Sequence, residues 1–254
     1  ERLNHPHIVR YHGGGEDDGI LFYVMELVDG GTVKGLLEKK GAFDWPIVVE
    51  VTRQICSALQ YAHNNGVIHR DLKPSNLFLT KSGDIKLGDF GIARDLERSD
   101  ITTTGMTVGT HAYMAPEQIT NQWRSFGPWT DLYAVGVLAW TLATGRPPYR
   151  GDVNTILEQH LEGALPIFTP HTPMPSDFYE WIDAMMAVQP SHRFERAADA
   201  AWALSRLQHP VSNDDTLIFQ RPQTTLTKNM VGDDDPTLTT QQILQLEHLK
   251  LQII

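Results

Sequence analysis

His69-Arg70-Asp71-Leu72-Lys73-Pro74-Ser75-Asn76, with Asp89-Phe90-Gly91 following thirteen residues after Asn76, is the stretch on which the rest of the chain hangs. It gathers two carboxylates, a carboxamide, an ammonium and a guanidinium. Pro74 lacks a backbone donor and pushes Lys73 toward extended geometry, which predicts a loop. Leu77-Phe78-Leu79 and Ile85-Lys86-Leu87 read as short strands joined by the turn Lys81-Ser82-Gly83-Asp84. Such a hairpin returns Asn76 and Asp89 to the same end. Paired oxygen side chains there suit Mg2+, a hard ion that shares its shell with phosphate and water.

The order His-Arg-Asp, four residues, Asn, then Asp-Phe-Gly, then Ala115-Pro116-Glu117 resembles the protein kinases. Lys73, two places after Asp71, resembles the serine/threonine branch. Gly88-Asp89-Phe90-Gly91-Ile92-Ala93-Arg94 and Leu142-Ala143-Thr144-Gly145-Arg146-Pro147-Pro148-Tyr149 are similar to the bacterial, eukaryotic-like (Hanks-type) members. The resemblance implies an α+β, protein-kinase-like fold: a complete, mainly helical larger lobe and a truncated β-rich smaller lobe. It implies a smaller-lobe remnant and hinge over 1–28, a larger lobe over 29–209, and a Thr/Asp/Gln-rich tail over 210–254. The implied activity is ATP-dependent phosphorylation of serine and threonine hydroxyls on protein substrates.

Site residues follow from the same resemblance. Asn76 and Asp89 hold Mg2+ on the phosphates of ATP, Asp71 orients the acceptor hydroxyl, and Lys73 neutralises charge on the transferred group. The nucleotide is expected against Met25, Glu26, Val28, Ser75, Phe78 and Asp89, with Met25 as gatekeeper and Phe78 as the adenine floor. An adenine edge needs one acceptor and one donor in register, which the backbone of Glu26 and Val28 can supply. Thr110 is the substrate-side turn, touching Asp71 and Lys73. Asp131 ties down the His69-Arg70-Asp71 backbone, and Glu117 pairs with Arg193. Thr102, Thr103 or Thr104, once phosphorylated, would dock on Arg70 and Arg94 and order the activation loop.

Composition narrows the alternatives. A net charge of -10 argues against a nucleic-acid partner, and 41% apolar residues suffice for a core. No run of 18 apolar residues and no charged-then-apolar leader occur, so a cytoplasmic protein without a membrane segment is expected. The lone Cys56 excludes an internal disulfide and reads as helix packing. His5, His7 and His12 flank a Pro turn without acidic or Cys companions, and Gly13-Gly14-Gly15 reads as a turn.

Ile20–Val28 reads as a buried strand. Asp44 and Pro46 open a helix whose apolar positions run from Ile47 to Ala62, stopped by Asn65-Gly66. Asp131 opens a buried helix over 132–143. Further helices are expected over 178–188 and 195–207.

From residue 211 the apolar periodicity gives way to Asp, Thr, Gln and Pro, which is linker composition. A phosphothreonine-binding partner for this tail and a short terminal helix bearing Ile243, Leu246, Leu249 and Ile253 are readings it allows.

Three parts of the kinase pattern are missing: the Gly-x-Gly-x-x-Gly loop, the Val-Ala-Ile-Lys strand and the regulatory-helix glutamate. The expectation is a fragment of a longer product, itself weakly active or inactive. The rivals are a pseudokinase or docking scaffold, a small-molecule phosphotransferase, and a tail that acts only in binding.

Overall fold

The computed structural model describes residues 3–90 and 108–207. Arg94, Thr102, Thr103, Thr104 and the tail beyond 207 lie outside the described residues. The architecture is α+β. A two-stranded ribbon, β1 (Tyr11–Asp17) and β2 (Ile20–Met25), precedes helices α1 (Val33–Lys40) and α2 (Trp45–Asn64). A short hairpin follows, β3 (Leu77–Leu79) and β4 (Ile85–Leu87). Then come α3 (Val108–His111), α4 (Pro116–Ile119), α5 (Pro128–Thr144), α6 (Val153–Glu162), α7 (Phe178–Met185) and α8 (Ala197–Ser205).

The helical body forms around α5, where every residue from Thr130 to Ala143 is buried. A helix apolar all round has no solvent face and must be enclosed by others. It starts three residues before Asp131, at Pro128, because Thr130 Oγ1 accepts from the Gly127 N–H at 3.1 Å and closes the first turn. It ends at Gly145, whose φ of 78° is the left-handed stop that glycine adopts without strain. Where α7 crosses α5, Gly136 permits the contact: a Cβ there would lie 2.7 Å from the Cβ of Met185. Helix α2 packs against α5 and α8 and buries Val48, Val51, Ile55, Cys56, Ala58, Leu59 and Ala62. Asp44 occupies the cap position of α2 with no capping bond from its side chain.

Glu117 and Arg193, 76 residues apart, form a bidentate pair at 2.8 and 2.9 Å with both side chains buried. Arg193 also donates to the carbonyls of Ala187, Trp129 and Val188, so all five of its N–H groups are used. Breaking such a pair from one side typically costs about 3–5 kcal/mol, because the other charge is stranded. Helix α7 ends at Met185, earlier than the periodicity predicts, and the Ala187 and Val188 carbonyls beyond it go to Arg193. Helix α8 is likewise shorter at both ends than expected.

Two expectations need correcting. Gly13-Gly14-Gly15 is not a turn: it lies in β1, paired with Val24, Tyr23 and Phe22. The turn is Asp18-Gly19, both with positive φ (47° and 79°), a two-residue hairpin connection whose Asp-Gly signal stands in the sequence. Nor is Ile20–Val28 a buried strand. It ends at Met25, and Ile20 and Leu27 are 70% and 88% exposed. Three glycines opposite supply no side chains, so the ribbon has nothing to bury itself against within itself. No helix among the described residues is long and apolar enough to cross a membrane.

Helix α6 contributes a buried titratable group to this body. His160 has no solvent exposure; its Nδ1 is 2.6 Å from the Tyr133 hydroxyl and its ring meets Tyr149 edge-on at 4.7 Å. Burial pushes its pKa from 6.5 down to about 4. The unfolded chain therefore takes up a proton that the folded chain refuses. Stability should be whole above pH 6.5 and fall by about 3 kcal/mol as the pH drops toward 4. Urea denaturation between pH 7 and 4.5 checks this: His160→Gln should flatten the fall, whereas parallel curves for both proteins would contradict it.

Candidate active site

The hairpin β3–β4 sits between two extended segments. On one side Gly30 N–H donates to Leu79 O at 2.8 Å and Leu79 N–H to Gly31 O at 2.9 Å; on the other, Val9 N–H donates to Leu87 O at 2.9 Å. Helix α2 supports it from behind, where Gln54 Oε1 accepts from the Ile85 N–H at 2.6 Å. The pairing Leu77↔Leu87 continues as a bond from Gly88 N–H to Asn76 O at 2.9 Å, so Asn76 and Asp89 leave the hairpin side by side. Gly88 must be small: a Cβ would lie 2.5 Å from the Phe78 ring.

The loop before β3 is held by side chains from distant elements. Asp131 accepts from the His69 N–H at 2.9 Å and from the Arg70 N–H at 2.8 Å. His63 Nε2, at the end of α2, lies 2.7 Å from the same carboxylate. Arg70 has φ of 65° and Asp89 φ of 52°. Non-glycine residues in that region cost of order 1 kcal/mol or more and persist only where the surroundings over-determine them.

His69 is fully buried, and desolvation holds its pKa below the usual histidine value despite the nearby Asp131. Its Nε2 faces the Gly88 carbonyl at 2.9 Å and its Nδ1 faces the Asp71 N–H at 3.3 Å. One nitrogen must donate and the other accept, so the ring is neutral with its proton on Nε2. Phe90 packs on it with ring centroids 4.6 Å apart.

Asp71 emerges from this frame into a cluster of polar groups. Lys73 Nζ donates to Asp71 Oδ2 at 2.8 Å and to Thr110 Oγ1 at 3.2 Å. Asn76 Nδ2 donates to Asp71 O at 2.9 Å and to Oδ2 at 3.3 Å. Both of those partners are acceptors, so the orientation of the Asn76 amide is fixed. Its Oδ1 turns the other way, toward the Ser75 hydroxyl at 3.2 Å. A carboxamide oxygen so directed, on a residue whose carbonyl is bonded to the Gly88 N–H just before Asp89, fits a hard divalent cation. Lys73 is extended before Pro74, as the proline requires, and Pro74–Asn76 forms a single helical turn.

The residues expected at the hinge are held by Arg10 before β1 and by Lys86 on β4. The Glu26 N–H is taken by Arg10 O at 2.8 Å, so only its carbonyl is left to face a base. Desolvation of the Glu26 carboxyl is outweighed by Lys86 Nζ at 2.9 Å and by the Arg10 N–H, which hold its pKa below the usual range. The Met25 side chain is half-exposed, and Val28 is intermediate. Arg70 lies over the Phe126 ring at 5.8 Å. Arg94 and Thr102–Thr104, the other members of the expected phosphate pocket, fall outside the described residues. Of the three histidines at the Pro turn, His5 stacks on Tyr61 at 5.2 Å and His7 Nδ1 meets Ile85 O at 2.9 Å.

The model of the protein kinase domain family matches residues 1–211. The chain belongs to that family. Among similar kinases is the serine/threonine-protein kinase PknL of Mycobacterium tuberculosis, 37% identical over 77% of this chain and 49% of its own length. PknH of the same organism is 37% identical over 87% of this chain and 36% of its own, and PknD 40% identical over 80% and 31%. The chain thus spans about half the length, or less, of the curated kinases it matches.

Two residues of this kinase domain escaped the sequence reading. His63 falls between the last apolar position of α2 and its Asn65-Gly66 stop, and Gln118 follows Ala115-Pro116-Glu117. Gln118 donates to the Arg70 carbonyl at 2.8 Å. Its third position in the helix begun by Pro116 is where a glutamine reaches back to the first turn, and that was its legible signal. Asp131→Ala would strand the N–H groups of His69 and Arg70 at about 1–3 kcal/mol each. Urea denaturation should register a loss of roughly 2–6 kcal/mol by the same accounting; a loss under about 1 kcal/mol would contradict the anchoring role.

Proposed function

We propose that this chain carries the phosphoryl-transfer site of a serine/threonine protein kinase that uses ATP and Mg2+ and acts on protein hydroxyls. The observation that carries the reading is the contact of Lys73 with both Asp71 and Thr110, with Asn76 tied to the same Asp71. Residues 1–28 then belong to the smaller lobe and hinge, 29–209 to the larger lobe and 210–254 to a tail.

Asn76 Oδ1 and the Asp89 carboxylate would hold the cation, with Ser75 beside them. Mg2+ supplies neutralisation of charge on the nucleotide phosphates. The carbonyl of Glu26 and the N–H of Val28 would meet the adenine edge, Met25 would flank it, and Phe78, whose ring lies over Gly88, would form its floor. Asp71 orients the acceptor hydroxyl and receives its proton late; an ordinary carboxylate suffices because bond breaking to the leaving group leads. Lys73 stands between that carboxylate and Thr110, where it can neutralise charge on the moving phosphoryl group. No covalent intermediate is needed: the chemistry is positioning plus electrostatics. Phosphorylation in Thr102–Thr104 would add a ligand for Arg70 and Arg94.

Radiolabel transfer from ATP to a protein substrate, run on the chain joined to a full smaller lobe and beside nucleotide-dependent thermal shift of the same protein, tests the reading. Asp71→Asn should keep the thermal shift and lose about 10²–10⁴ of turnover. Asp89→Asn should lose the Mg2+-dependent part of the shift. Undiminished transfer by Asp71→Asn would overturn the assignment, and a nucleotide shift without any transfer by the wild type would favour a pseudokinase.

A further inference from the structure

The peptide unit joining Arg70 to Asp71 is gripped at both ends by side chains. Its N–H donates to His69 Nδ1 at 3.3 Å and its carbonyl accepts from Gln118 Nε2 at 2.8 Å. The preceding peptide unit is held as well, since the Arg70 N–H donates to Asp131 Oδ1 at 2.8 Å. Arg70, between them, sits at φ of 65°. Its two neighbouring peptide planes set the direction in which Asp71 leaves the loop. Relaxing either plane would let Arg70 return to the ordinary region and rotate Asp71 away from Lys73 and Thr110.

Gln118 is well placed to hold its plane. Its other amide atom, Oε1, accepts from the Ala115 N–H at 3.0 Å, so both ends of the amide are used and its orientation is fixed. Its neighbour Glu117 is locked to Arg193, which immobilises the short helix that carries both residues. Gln118 also lines one small cleft together with Asp71 and Thr110.

We infer that Gln118 is a positioning residue for phosphoryl transfer, acting through the Arg70 carbonyl to aim Asp71 and coupling the Ala115-Pro116-Glu117 segment to the loop. The kinetic part of this inference rests on the proposed role of Asp71; the structural part does not.

Two variants and two readouts separate the possibilities. Gln118→Met removes both bonds. Gln118→Glu keeps the acceptor for the Ala115 N–H but presents a carboxylate oxygen to the Arg70 carbonyl. Both should lower kcat, reckoned per folded molecule counted by nucleotide-binding stoichiometry, by about tenfold or more with the KM for ATP within about twofold. Hydrogen exchange at the Asp71 amide should quicken by about tenfold in both, with exchange in α5 unchanged. That second readout needs no turnover, so a wild type inactive even when joined to a full smaller lobe would count against the proposed function and leave this inference to be decided by exchange alone. Unchanged exchange at Asp71 in both variants would overturn the inference. So would a Glu variant that behaves as wild type beside an impaired Met variant, because the effect would then belong to the first turn of α4.

Discussion

Two oxygens of Asp131, presented by a fully enclosed helix, hold the two N–H groups that open the loop running from His69 to Asn76. Everything functional downstream depends on that grip. Arg70 is bent into a backbone region that an L-residue with a long side chain avoids, and a free loop would not stay there. The buried helix α5 supplies rigidity, His63 shares the carboxylate from the end of α2, and the loop is thereby referred to the core of the body.

From this anchor the chain builds outward by short-range logic. The hairpin β3–β4 returns Asp89 beside Asn76, and the neutral His69 ties the loop that bears Asp71 to the end of β4 through the Gly88 carbonyl. Asn76 has its amide nitrogen used on Asp71, and this turns its oxygen outward. Lys73 bridges from the loop to Thr110 on the far side of the cleft. The site is therefore a set of interlocked hydrogen bonds in which few groups can rotate independently. Pre-organisation of this kind is what positioning catalysis requires.

The parts legible in the sequence were those that short-range chemistry dictates. Pro74, the apolar pairs at 77–79 and 85–87, and the stripe from Val48 to Ala62 speak for themselves at periods of two and 3.6. The roles of Asp131, Glu117 and Arg193 came only through family resemblance, because separations of 61 and 76 residues leave no mark in local pattern. The partner of His63 is hidden for the same reason, whereas Gln118 carries a local signal at the third position of the helix begun by Pro116. The ribbon failed differently: Gly13-Gly14-Gly15 looked like a turn by composition, although the stronger signal was Asp18-Gly19, which alone takes two consecutive positive φ angles. The exposure of Ile20 and Phe22–Met25 is not legible in the sequence, because an apolar run says nothing of what covers it.

The most direct measurement is the position of the metal. Anomalous diffraction from the protein bound to Mn2+ and a non-hydrolysable ATP analogue should place a manganese peak within about 2.0–2.5 Å of both Asn76 Oδ1 and the Asp89 carboxylate, with Asp71 free of the metal and facing the terminal phosphate. A metal bound to neither residue, or an Asn76 oxygen turned back onto Asp71, would contradict the account.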